Sequence, residues 1–139
     1  MLQNLPFFTP IIGYIIAGLI KFIINSIKSR KLSFDKIGMG NFPSTHNTIT
    51  SSTYFIIVFI DGIDSLLAIV GLTILIIVAI DSLDLRKQIE SHARILINNF
   101  GDKVKIRQKI GHKFYEVIGG IILGLVIAYV VYEISIFKI

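Results

Sequence analysis

Long apolar stretches limit what this chain can fold into more than any other feature. The first covers residues 6–27 and carries no charge before Lys21. Roughly 20 apolar residues in a helix cross a bilayer core, and this stretch has that length. Pro6 and Pro10 suit its first turns, where a missing N–H costs little. Further apolar runs cover residues 45–60, 65–80 and 114–137. In hydrocarbon every backbone polar group must be satisfied within the protein, which selects helices. The expected fold is an all-α integral membrane bundle of about four hydrophobic helices, forming a single domain over residues 1–139.

The runs are not alike. The first half of 45–60 is rich in Ser and Thr, and the run is short for a full span. It suits a helix that begins inside a protein-lined cavity rather than in lipid. Residues 85–100 have another texture. Leu85, Ile89, Ala93, Leu96 and Phe100 recur at helical steps, with Arg86, Lys87, Glu90 and Arg94 between them. That pattern predicts an amphipathic helix at the membrane interface. A basic stretch follows with Lys103, Lys105, Arg107 and Lys109, and the last run carries Gly119, Gly120 and Gly124. Glycines so spaced allow close helix approach in a membrane.

Charge sets the surroundings. The net charge is +5 with 53% hydrophobic residues. In a soluble domain that balance would point to nucleic acid. Here the charges lie between apolar runs, so the expected partners are the bilayer and anionic lipid headgroups, with no nucleic acid. There is no cysteine, hence no disulfide framework and no thiolate metal site. Residues 1–6 lack the positive region of a secretory signal. If all the apolar runs cross, residues 28–44 and 81–113 share one side. Of the 14 lysines and arginines all but Lys138 lie on or near that side, which the positive-inside rule makes cytoplasmic. The parity argument requires that 45–60 crosses. The Ile, Lys and Asn bias suggests a bacterial source, and so a multi-pass protein of the bacterial inner membrane.

The same topology gathers the polar residues that need a reason. Ser44, Thr45 and His46 open the second run, Asp81 and Arg86 follow the third, His112 and Glu116 open the last, and Lys21 lies late in the first. This set fits phosphoryl transfer, in which fixed donors stabilise negative charge. Lys21, Arg86 and Arg107 can supply positive charge, the helix start near Thr45 can seat phosphate, and Ser44 and Thr45 add hydroxyls. One histidine can attack phosphorus while the other protonates the leaving alcohol. His112 and Glu116, four apart, are expected on one helical face, with the carboxylate holding the imidazole N–H. No Asp, Glu and His spacing suggests a metal site.

Plainer readings stand beside these. A histidine near a membrane boundary is commonly an interfacial polar residue, and Pro-Ser-Thr before a helix is commonly an N-cap. Lys21 can snorkel. Arg86, Arg94 and Arg107 can serve topology, and Asp81 can pair with Arg86. His92 reads as structural and Glu133 as interfacial.

Phe42-Pro43-Ser44-Thr45-His46 resembles the Pro-Ser-(Gly/Ser)-His motif of the type 2 phosphatidic acid phosphatases, relatives of the vanadium haloperoxidases. Gly111-His112, with Glu116-Val117 and glycines after it, resembles their final motif. The chain is closer to the small divergent PAP2 membrane proteins, whose Asp-x-x-Gly-Val-Arg segment is similar to Asp81-Ser82-Leu83-Asp84-Leu85-Arg86. The resemblance runs in order along nearly the whole chain. It implies His112 as the nucleophile forming a phosphohistidine, Glu116 as its orienting group and His46 as general acid. It also implies Ser44 and the Thr45 backbone as phosphate ligands, and Lys21 as the lysine of the first motif. The sequence departs from the ordinary family where Lys28-Ser29 stand in place of Arg-Pro and where Arg107 lies one residue nearer the histidine. Arg86 and Arg107 therefore both remain candidates for the phosphate-binding arginine.

The function expected is a metal-independent, cofactor-free phosphatase that hydrolyses a phosphate monoester of a membrane lipid at the cytoplasmic face. Phosphatidylglycerophosphate or phosphatidate suits that side, and a polyprenyl diphosphate suits the opposite one. The rival is a non-catalytic membrane protein that binds anionic lipids or a partner. Haloperoxidase chemistry and transport fit so small and apolar a chain poorly, and a homo-oligomer stays open.

Overall fold

The structure is a computed structural model that describes residues 2–30, 42–101, 106 and 109–137. All regular structure among these residues is helical. A 3-10 helix, Leu2–Phe8, leads into α1, Thr9–Ser29, with Pro10 in its first turn. α2 spans Thr45–Asp61, α3 Leu66–Leu83, α4 Leu85–Phe100 and α5 Phe114–Ile136. Ser65 caps α3 by accepting from the Ala68 amide at 3.1 Å.

Among the described residues three segments are long and apolar enough to cross a membrane: Asn4–Ser29, Leu66–Phe100 and Phe114–Ile136. Large apolar side chains such as Ile15, Leu19, Ile77, Ile80, Ile122 and Val126 project outward from them. A soluble protein rarely shows so much contiguous apolar surface. Lipid is the solvent that fits it.

α2 is the exception, and it lies at the middle, packed against α1, α3 and α5. Its 17 residues make a rod of about 25 Å at 1.5 Å per residue, short of a ~30 Å hydrocarbon core. Its polar half is enclosed by protein: Asn47, Thr48, Ser51 and Ser52 are fully buried. Their hydroxyls are satisfied by their own helix. Thr48 donates to the Ser44 carbonyl at 3.0 Å, Ser51 to Thr48 at 3.2 Å and Ser52 to Ile49 at 2.9 Å.

Glycine lets the neighbours close on this stripe. A Cβ at Gly124 of α5 would lie 2.7 Å from both the Thr48 carbonyl and the Ser52 amide, and one at Gly120 would lie 2.6 Å from the Ser44 carbonyl. The contacts step along both chains in the same sense, from Gly120 against Ser44 to Ile127 with Ile56, so α2 and α5 run parallel. α1 and α3 run against them, with Gly13 on Ser52, Gly71 on Tyr54, and Ser82 bonded to Asn47. Beyond Gly124 the interior becomes apolar, with Ile56, Ile127, Ala128 and Val131 backed by Leu5, Ile12, Phe55 and Phe59.

α4 follows α3 after Asp84 alone. Ala93 is its buried residue, while Leu85, Ile89, Leu96 and Phe100 stay exposed along one apolar stripe. An exposed apolar stripe beside a charged edge is the pattern of an interfacial helix.

Candidate active site

Three segments meet at the end of the bundle where α2 and α5 begin: residues 42–48, residues 81–90 and residues 110–116. Their backbones are bonded to one another. The Ser44 amide donates to the Glu116 carbonyl at 2.9 Å, and the His112 amide donates to the Ser82 carbonyl at 3.1 Å. Between them lies Asn47, whose Nδ2 donates to Ser44 Oγ at 2.8 Å and to Ser82 Oγ at 3.1 Å. The Ile110 and Gly111 amides both donate to Glu90 Oε2 at 3.2 Å, and the other carboxylate oxygen accepts from Arg94.

His46, in the first turn of α2, is exposed. Its Nδ1 lies 3.3 Å from an Arg86 guanidinium nitrogen, and Arg86 forms an ion pair with Asp81. An arginine can only donate. Nδ1 is therefore the acceptor, and the ring proton of a neutral His46 resides on Nε2. The line Asp81, Arg86, His46 fixes both the ring and its tautomer.

His112 has the opposite environment. It is 4% exposed, and neither ring nitrogen has a hydrogen-bond partner among the described residues. Burial pushes its pKa down to about 4, helped by the positive charges of Lys21 and Arg86, by His46 and by Lys109. At pH 7 the ring is neutral, and a neutral imidazole has a lone pair available to attack an electrophile. Lys21 is itself buried on α1, and its charge is felt at both histidines. The structure thus brings Lys21, His46, Asp81, Arg86 and His112 together from α1, α2, the joint of α3 and α4, and the approach to α5.

Two expectations change in detail. His112 and Glu116 do not share a helical face, because α5 begins at Phe114 and His112 lies ahead of it in non-helical backbone. Nor does Glu116 hold the imidazole. Its Oε2 accepts from the Lys113 amide at 2.9 Å, closing the first turn of α5. Ser44 is fully buried, its hydroxyl directed to Asn47, and Thr45 beside it is half-buried. Arg107 lies outside the described residues.

Asn47, Ser82 and Glu90 join the site only through the packing of separate helices. Asn47 and Ser82 look like ordinary polar residues until α2 and α3 are packed. Glu90, four residues before Arg94, reads as half of a routine helical ion pair. A cavity of about 310 Å³ opens on the α4 side of His112, lined by Lys87, Glu90, Ser91, Arg94, Lys109, Gly111, Lys113 and Glu116 besides His112. None of Lys21, His46 and Arg86 lines it. Among the described residues no group of three or more His, Asp or Glu is placed to hold a metal ion.

No curated protein and no solved structure matches this chain. The model of the Divergent PAP2 family matches residues 2–127, nearly the whole length, and the chain belongs to that family.

Proposed function

We propose that this divergent PAP2 protein is a metal-independent phosphatase that hydrolyses a phosphate monoester of a membrane lipid through a phosphohistidine on His112. The observation that carries this reading is the buried, neutral His112 with two unpartnered ring nitrogens, in the positive field of Lys21 and Arg86. In the first step a His112 nitrogen forms a bond to phosphorus while the ester P–O bond breaks. His46 enters this step as the imidazolium, with Arg86 turned from Nδ1 toward the phosphoryl oxygens, and its Nε2 proton goes to the departing alkoxide, leaving a neutral ring with a free Nε2 lone pair. In the second step water attacks phosphorus, the N–P bond breaks, and the water proton returns to His46. Lys21 and Arg86 stabilise the charge on the phosphoryl oxygens. Asp81 holds Arg86 beside His46 and the phosphate, and Ser44 and Thr45 shape the phosphate seat at the start of α2. Glu116 holds the first turn of α5 and so the backbone next to His112.

The distribution of lysine and arginine supports a cytoplasmic site in a bacterial inner membrane and, with it, a phospholipid-synthesis intermediate such as phosphatidylglycerophosphate or phosphatidate. A reporter fusion within residues 101–109 that reads as external turns the substrate choice to a polyprenyl diphosphate.

The deciding experiment is phosphate release from a panel of lipid phosphates in detergent with EDTA present. Wild type is expected to be active, and His112→Ala to lose about 10³-fold or more. Activity that His112→Ala retains, or none on any lipid, overturns the reading. The basic lining of the α4-side cavity then favours a protein that binds anionic lipid without hydrolysing it.

A further inference from the structure

We propose that Glu90, on the interfacial helix α4, is the positioning residue of the nucleophile, holding the segment that carries His112 in its reactive place. The inference rests on the phosphatase reading for its kinetic consequence but not for its structural one.

The sequence logic of a base and its orienting carboxylate pointed to Glu116, and that carboxylate is bonded to Lys113 instead. What fixes His112 comes from the other side. The amides of Ile110, Gly111 and His112 are all accepted by residues of α3 and α4. The first two go to Glu90 Oε2 at 3.2 Å and the third to the Ser82 carbonyl at 3.1 Å. This segment also lies directly on α4: a Cβ at Gly111 would sit 2.7 Å from Lys87 Cγ and 3.1 Å from its Cα. Glycine is what allows that approach. Among the described residues the His112 ring bonds to nothing, so its backbone supplies the placement.

The two oxygens of Glu90 divide the work. Oε2 takes the two amides, and Oε1 takes the Arg94 guanidinium. A bare carboxylate this close to a phosphate site would repel the substrate. Here its charge is matched by Arg94 and by two N–H dipoles.

The division separates the variants. In Glu90→Gln the amide oxygen still accepts from Ile110 and Gly111. In Glu90→Ala nothing does, and in Glu90→Asp the carboxylate is one methylene short. Displacing a reacting group by about 1 Å costs on the order of 10²-fold in rate. Glu90→Ala and Glu90→Asp are expected to lose about that much kcat with KM within about two-fold, and Glu90→Gln to recover most of it. His92→Asn, an exposed change on the same helix, serves as the control at wild-type rate.

The second readout needs no activity. In protein labelled with ¹³C-histidine, the ring signal absent from His112→Asn is titrated. Wild type is expected to titrate at about 4, Glu90→Gln near it, and Glu90→Ala and Glu90→Asp closer to the ordinary value of about 6.5. If wild type hydrolyses nothing, the titration alone decides the matter, so the two readings fail separately. If Glu90→Ala does not fold, Glu90→Asp carries the test. A folded Glu90→Asp with wild-type kcat and wild-type titration overturns the proposal. So does loss of thermal stability with both readouts unchanged, since Glu90 is then a structural staple.

Discussion

The same two parallel helices, α2 and α5, face each other across two different interiors. At one end they enclose Ile56, Ile127, Ala128 and Val131. At the other they enclose Ser44, Asn47, His112 and Glu116, with Ser82 of α3 between. The apolar end is held by shape. Lipid tails are as apolar as isoleucine, so burial there adds little drive and close packing must serve. The polar end is held by directed bonds, and each of these fixes a distance as well as adding energy. The difference teaches that the bundle keeps its tolerance at one end and its geometry at the other. Chemistry that depends on tenths of an ångström belongs at the second.

Single substitutions can break that contrast. The largest effect on activity is expected at the polar end, where His46→Ala loses about 10²–10⁴-fold in phosphate release, the range for a general acid, with an unchanged thermal midpoint in detergent. The largest effect on stability is expected at the apolar end. Ile127→Ala costs about 2–5 kcal/mol by thermal unfolding and leaves kcat per folded molecule unaltered. Gly124→Ala lies between the two ends. Its methyl group would meet the Thr48 carbonyl and the Ser52 amide at 2.7 Å, and overpacking of that kind costs about 1–3 kcal/mol. If Gly124→Ala leaves both midpoint and rate untouched, the seam is looser than described and the contrast fails.

A milder prediction uses pH. In the proposed mechanism His112 must be neutral to attack, and burial and its cationic neighbours push its pKa down to about 4. kcat/KM is therefore expected to hold on its acid side well below the ordinary histidine value of about 6.5 and to fall as pH drops through the folded value. An acid limb near 6.5 instead would mean that His112 is not buried in the working enzyme. The smallest effect is expected for Ser51→Ala. That hydroxyl returns to its own helix at Thr48, with a second acceptor at Gly120 3.4 Å away. Side-chain hydrogen bonds between membrane helices average about 0.6 kcal/mol, so a small shift in midpoint and none in rate is expected.

Much of this architecture is legible in the chain. The alternation of apolar and charged residues over 85–100 marks α4, Leu85–Phe100, to its last residue. The Ser and Thr crowding in the first half of α2 announces a helix that must be enclosed by protein. The glycines at 120 and 124 announce where α5 meets it. What is illegible depends on either a helix boundary or a tertiary contact. A start of α5 two residues after His112 removes the expected pairing with Glu116, and helix ends are set by caps that sequence locates only to within a residue or two. Asn47, Ser82 and Glu90 acquire their roles only when separate helices are brought together, and nothing within a few residues of each signals it.

The turn at Gly62, Ile63, Asp64 and Ser65, between α2 and α3, lies at the far end from both histidines, and it divides the site in sequence. Before it come Lys21 and His46; after it come Asp81, Arg86, Glu90 and His112. No contact that joins the two sets passes through local chain, so a molecule still entering the membrane with only α1 and α2 in place holds half a site. The set is completed when α5 docks on α2 and carries His112 up to Ser82 and Glu90. On the phosphatase reading, reactivity toward lipid is thereby tied to the end of biogenesis, and a chain without α5 in place lacks its nucleophile.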